Sequence, residues 1–379
     1  MGRKAKEEEV EQETKKSGNN SAKYAAAYLA EHPDHLCTEE DIVYTVSSGS
    51  LGLDVEMGGG IRPGIVRMTG ISEGGKTSCS FSYMKNFLQE KNRKGVYIRA
   101  ERKESEQLKK RIGVPLTYDI ENWPDQTCFV YRGNIYENVI GFMRTLVMKN
   151  PDKTQYMFIL DSMDGLIPKA DYDKDFQDAV QVAGGALITA VFLKKLALAM
   201  GVRGHICILI SQVRATIRIN QQQKIDPKLT NATGGNAAQH WADWILEFQN
   251  HETKECKIRE NDAEKGKVLG HWCKIIFKKT PNEKTNEVIQ YPIKYNQSAG
   301  DRVWVEREVA DQLIFWEFIK VSGKWISPTF VFTNVLKEHN FTFPEKFDGM
   351  KNLNEYLEEN PDLVKFLYNY FREVKMKEI

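Results

Sequence analysis

Residues 70 to 77, Gly-Ile-Ser-Glu-Gly-Gly-Lys-Thr, carry the strongest chemical signal in the chain. They fit G-x-x-x-x-G-K-[ST], a loop whose backbone N–H groups surround phosphate. Gly70, Gly74 and Gly75 put no Cβ in the way of an anion and reach φ > 0 at little cost. Ile71, Ser72 and Glu73 complete the loop. Ser78 continues into a helix whose N-terminus adds about half a positive charge behind the phosphates. Lys76 supplies a mobile charge for the β- and γ-phosphates, and Thr77 offers a hydroxyl to Mg²⁺. A glycine-rich turn capping an ordinary helix is the plainer alternative. The apolar strand before the loop (Ile65, Val66, Met68) and the helical pattern after it (Phe81, Met84, Phe87, Leu88) favour the phosphate reading.

Three more polar residues stand at strand ends. Asp161 follows Tyr156-Met-Phe-Ile-Leu160 and reads as the acidic residue that holds Mg²⁺ through water. Glu101 follows Gly95-Val-Tyr-Ile-Arg-Ala100 and is a candidate general base for an attacking water; spacing alone equally allows a surface glutamate. Gln212 follows Ile206-Cys-Ile-Leu-Ile210 and could sense the γ-phosphate or merely pair with backbone. Beyond it, the stretch to Ala237 shows no packing pattern. Arg214, Arg218 and Lys224 alternate there with Ile217 and Ile219, which suits a loop on a nucleic-acid backbone, although a solvated loop has the same composition.

The elements that must position these residues alternate. Strands are expected at 65–68, 95–100, 128–131, 156–160 and 206–210, with helices over 104–112, 134–148 and 184–200 between them. That order implies right-handed crossovers, a mostly parallel central sheet, and ligands beyond its carboxyl ends. A further strand is expected at 42–46. Three alternating segments (243–248, 271–279, 286–293) read as antiparallel strands that extend the sheet. The chain divides into a charged arm read as disordered (1–19), an N-terminal helix with linker (20–41), a core (42–324) and a small aromatic, mostly helical C-terminal domain (325–379). The helix has two equally open places to pack, its own core or another subunit. The 379 residues, 41% hydrophobic, suffice for one large core and a smaller domain, and a net charge of +1 requires any nucleic-acid surface to be local. Cys37, Cys79, Cys128, Cys207, Cys256 and Cys273 show no metal-binding spacing and read as reduced thiols of a cytosolic protein. No signal peptide and no apolar run of about 18 residues occurs, so secretion and membrane spanning are not expected.

Taken together, the motifs resemble, over about residues 42–300, the RecA family of DNA strand-exchange recombinases, in its bacterial and phage (UvsX-like) branch. Ser47-Ser-Gly-Ser-Leu-Gly-Leu-Asp54 is similar to the family's segment ahead of the phosphate loop. Ala100-Glu101 through Arg111-Ile-Gly-Val114 keeps its spacing. Leu160-Asp-Ser162 with Pro168-Lys-Ala170 resembles its metal-binding strand and the start of a first DNA loop. Ser211-Gln-Val-Arg214 and Thr233-Gly-Gly-Asn-Ala237 bracket a second.

The resemblance implies a RecA-type ATPase core using ATP and Mg²⁺, open helical filaments on single-stranded DNA, and pairing with double-stranded DNA. It also implies work beside single-strand-binding and mediator proteins in the cytoplasm. Glu101 would activate water, and Gln212 would couple the γ-phosphate to DNA. Val182 and Ile217 would insert between bases. Arg214, Gly234, Gly235 and Asn236 would contact the DNA backbone, with Lys194 a weaker candidate, and Lys278 would reach the ATP of an adjacent subunit. Ser105 and Leu108 depart from the family's residues around adenine, and Leu187 from a basic residue of the first loop. Thr280 departs at the second trans position, with Lys279 and Lys284 as nearby substitutes. The C-terminus lacks the acidic tail of bacterial members. Two other readings remain: a RecA-fold hexameric helicase or packaging motor, and a recombination mediator that binds ATP with little hydrolysis.

Overall fold

The computed structural model describes residues 21–31, 41–101, 106–174, 184–213, 235–260, 266–297 and 300–378. The chain divides into two units, residues 1–40 and 41–379. In the first, residues 21–31 form helix α1, with Tyr24 and Tyr28 one turn apart.

The second unit opens with α2 (Leu51–Glu56), β1 (Gly64–Gly70), α3 (Lys76–Phe87), β2 (Arg93–Arg99), α4 (Glu106–Ile112), β3 (Leu116–Thr117) and β4 (Cys128–Arg132). It continues through α5 (Tyr136–Met148), β5 (Gln155–Asp161), α6 (Lys169–Tyr172), α7 (Gly184–Val202), β6 (Ile206–Ile210), α8 (Gly235–Trp241) and β7 (Trp244–Phe248). Next come β8 (Lys257–Arg259), β9 (Val268–Lys279), β10 (Val288–Lys294), α9 (Val305–Phe315), β11 (Ile319–Ser322) and β12 (Trp325–Pro328). The chain closes with α10 (Phe330–Glu338), β13 (Phe347–Asp348), α11 (Gly349–Glu359) and α12 (Pro361–Glu373).

The main sheet runs β10-β9-β7-β1-β6-β5-β2-β4-β3, with β8 on β9. From β7 to β3 every pairing is parallel, and β9 turns the sheet antiparallel against β7, β8 and β10. The parallel strands are buried on both faces, which is why β5 and β6 read as near-continuous apolar runs and β1 as an apolar run broken by Arg67 and Thr69. Successive side chains of β1 serve opposite cores. Val66 and Met68 join Phe81, Phe87 and Phe277 on one face, and Ile65 joins Val139, Phe158 and Leu209 on the other. β1 lies between β6 and β7, so the phosphate loop leaves the middle of the sheet at its carboxyl edge.

One expectation is corrected. The segment 42–46 is not a strand: only Val46 bridges, to Ile61, while the Ile42 N–H donates to the Val202 carbonyl and the Tyr44 hydroxyl to the Gly204 carbonyl. Its alternating pattern reflects contacts with the turn after α7 rather than a partner strand. β11 and β12 form an antiparallel hairpin. The C-terminal core of Phe318, Phe332, Leu353, Leu367 and Phe371 also takes in Val309 and Leu313 of α9.

A buried carboxyl network ties α2 to α9. Asp54 accepts from the Ser48 N–H (2.8 Å), the Ser48 hydroxyl (2.6 Å) and the Ser47 hydroxyl. Glu308 accepts from the Ser50 hydroxyl and the Leu51 N–H. Burial pushes the Glu308 carboxyl up to about 8 and that of Asp54 up to about 6. A carboxyl that keeps its proton longer when folded stabilises the fold fully below its unfolded pKa, and loses that contribution as pH rises through the folded value. Stability should therefore fall from about pH 4.5 toward 8 through Glu308. Glu308→Gln should flatten that decline, read as the urea midpoint against pH.

Candidate functional site

β1 delivers the loop. Gly70 sits at φ +134, and a Cβ there would lie 2.2 Å from the Phe248 carbonyl oxygen, so only glycine lets the loop pass the end of β7. Glu73 holds φ +63, a left-handed turn that a non-glycine residue adopts at some cost. Lys76 is 7% exposed, and its ammonium donates to the carbonyls of Gly70 (2.9 Å) and Ile71. Burial lowers its proton affinity, opposed by the charges of Asp161, Asp164 and Glu101.

The structure brings the strand-end residues together here. The Thr77 hydroxyl donates to Asp161 Oδ2 at 2.8 Å, with the Tyr97 hydroxyl 3.4 Å from the same oxygen. Burial raises the Asp161 carboxyl, as does nearby Glu101; the Thr77 hydrogen bond and Lys76 oppose this. A hydroxyl and a carboxylate oxygen at the mouth of a phosphate loop fit Mg²⁺, which takes few protein ligands and shares the rest with phosphate and water. Glu101 accepts a hydrogen bond from the Ser162 hydroxyl. Gly165 makes room for it, since a Cβ there would lie 2.6 Å from Glu101 Cγ.

Gln212 is fixed through its backbone. Its N–H donates to Asp164 Oδ2 at 2.8 Å, and the next N–H, of Val213, reaches the Gly70 carbonyl at 3.2 Å. Asp164 also faces the charge of Arg67, which is 1% exposed in the middle of β1 and whose pKa burial lowers to about 10. Sequence reasoning passed over both residues, although an arginine inside an apolar strand signals a buried counter-charge. Asp164→Asn should cost about 3 kcal/mol by leaving Arg67 without its counter-charge. Urea denaturation checks this, and Arg67→Met in the same background should recover most of the loss.

The cleft holds about 620 Å³, and its other wall was not foreseen. His271, Cys273, Tyr291, Tyr295 and Arg302 come from β9, β10 and the segment before α9. His271 is 8% exposed, with ring centroids 4.3 Å from His251 and 5.4 Å from Tyr295. Burial pulls its pKa down to about 4, as do His251 and Arg302, so it is neutral at pH 7. The available signal was the alternation of β9, which puts His271 on the same inward register as Cys273, Ile275 and Phe277.

Lys278 pairs with Glu247 of neighbouring β7 at 3.7 Å. Lys279 donates to the carbonyls of Gln239 (3.2 Å) and His240 (2.7 Å), the last turn of α8. Lys284 pairs with Glu56 at 2.5 Å. Lys194 lies exposed on α7, outside the cleft lining. Gly235 and Asn236 begin α8. Val182, Arg214, Ile217, Arg218 and Gly234 lie outside the described residues, as does Ser105.

Residues 34–287 match the model of the RecA N-terminal domain. The chain belongs to the RecA family. Similar proteins named Protein RecA include that of Rickettsia africae, 25% identical over 340 residues (88% of this chain, 85% of the relative), and that of Rickettsia bellii, 26% identical over the same shares. The Protein RecA of Cereibacter sphaeroides is 26% identical over 290 residues, 75% of each chain. The RecA match takes in the loop, Glu101, Asp161, Gln212 and β9, and stops just before β10; Tyr291, Tyr295 and Arg302 fall beyond it. Among the described residues, no helix is long and apolar enough to cross a membrane.

Proposed function

We propose that this RecA-family chain is a DNA-dependent ATPase that forms helical filaments on single-stranded DNA and pairs it with homologous double-stranded DNA for strand exchange. The observation that carries the reading is the Asp164–Gln212 contact at 2.8 Å. Asp164 lies between the expected metal-binding strand (160–162) and the expected start of the first DNA loop (168–170), and Gln212 lies where the second departs. Both roots meet beside the phosphate loop, to which Val213 is also bonded. Whatever moves Gln212 moves both.

Each residue then has a task. Lys76 and the loop N–H groups bind the phosphates. Thr77 and Asp161 hold Mg²⁺, which neutralises charge on the phosphates when bound. Glu101, oriented by Ser162, takes the proton of the attacking water, giving ADP and phosphate. Gln212 follows the γ-phosphate and passes its presence to the segments carrying Val182, Arg214, Ile217, Arg218, Gly234, Gly235 and Asn236. Lys194 adds a charge on α7, and Lys278 acts on the nucleotide of an adjoining subunit in the filament. The work is done in the cytoplasm, beside single-strand-binding and mediator proteins. Turnover measured with and without single-stranded DNA tests the reading: a strong rise with DNA is expected, and equal rates would remove the coupling.

A further inference from the structure

We propose that Arg302 grips the α-phosphate of the nucleotide bound by its own subunit, at the end of the cleft away from Glu101; this deepens the nucleotide reading above and rests on it. Thr77 faces Asp161, so a metal held by them, and the terminal phosphates with it, would lie on that side of α3. In a phosphate loop the lysine reaches the β- and γ-phosphates while the backbone at the helix start cradles the α- and β-phosphates. Ser78, one residue further along α3, therefore stands toward the α-phosphate. Arg302 meets it there: Nη1 donates to Ser78 Oγ at 2.5 Å. Its backbone is held on both sides, since its N–H donates to the Gly300 carbonyl (3.0 Å) and its carbonyl accepts from the Lys294 N–H (2.8 Å).

The charge of Arg302 is what asks for an anion. The guanidinium is partly buried beside His271, Cys273, Tyr291 and Tyr295, and among the described residues no carboxylate forms an ion pair with it. Arg111 acts on it with a charge of the same sign; burial first, then Arg111, lowers its proton affinity. A guanidinium has N–H donors in a planar fork that matches two oxygens of a phosphate. Here one neutral hydroxyl takes a single bond. An α-phosphate beside Ser78 would supply both the missing charge and the missing acceptors.

The alternative is a structural pin holding the segment before α9 to α3. The two roles separate cleanly. ATP and ADP share the α-phosphate, so Arg302→Ala should weaken both by the same factor, about tenfold to a hundredfold. Because the contact is the same in ground and transition states, KM should rise while kcat holds. The melting temperature without nucleotide should stay level or rise, since repulsion with Arg111 is relieved. The experiment is titration of wild type, Arg302→Ala and Arg302→Lys with fluorescent ADP and with a non-hydrolysable ATP analogue, plus melting without ligand. Equal losses, partly restored by lysine, are expected. Unchanged ADP affinity, or a loss confined to the triphosphate, would overturn the assignment. If Arg302→Ala does not fold, Arg302→Gln, which keeps a donor to Ser78 and removes the charge, decides on the same two affinities. Failure of the wild type itself to bind either nucleotide would sink the nucleotide reading rather than the role of Arg302 alone.

Discussion

Lys76→Ala should abolish nucleotide binding and turnover while leaving the protein folded. The ammonium is held at the loop by the Gly70 and Ile71 carbonyls and lies beneath the surface of the cleft. A full charge aimed at phosphate from a water-poor site is worth several kcal/mol, so affinity should fall at least about a hundredfold and hydrolysis below detection. The fold should survive because burial already opposes the charge of this ammonium. Lys76→Arg should not rescue binding, since a planar guanidinium cannot thread the loop as an ammonium does. Calorimetric titration with ADP, alongside thermal melting, checks both halves. Undiminished ATPase would remove the phosphate-loop assignment.

Glu101→Gln should lower turnover by about a hundredfold to ten-thousandfold with nucleotide affinity kept. The amide matches the carboxylate in shape, still fits beside Gly165 and still accepts from the Ser162 hydroxyl, but it cannot take a proton from water. The variant should hold ATP unhydrolysed and stay in its DNA-gripping state. Single-turnover kinetics with labelled ATP measures this directly, and hydrolysis at the wild-type rate would move the base to another residue.

Much of this site was legible because its parts are local. Gly70 to Ser78 is one continuous loop, and Asp161 and Gln212 are marked by the apolar strands before them. The mostly parallel sheet followed from the same alternation of strands and helices. What escaped notice is long-range. Arg302 reaches Ser78, and His271 reaches the cleft, only because β9 runs antiparallel beside β7 and β10 antiparallel beside β9. Asp164 gains meaning only through distant partners, the Gln212 N–H and Arg67, and a strand pattern counts the arginine as a blemish. The segment 42–46 failed for the opposite reason: its local pattern suits a strand, but apart from the Val46–Ile61 bridge its bonds go to the turn after α7.

The central claim is that a triphosphate bound at Lys76 determines whether the chain assembles on DNA. Electron microscopy of the full-length protein with single-stranded DNA, with and without a non-hydrolysable ATP analogue, tests it most directly. Open helical filaments should form with the analogue and disperse without it. Closed rings, or DNA coated equally well in the absence of nucleotide, would contradict the account.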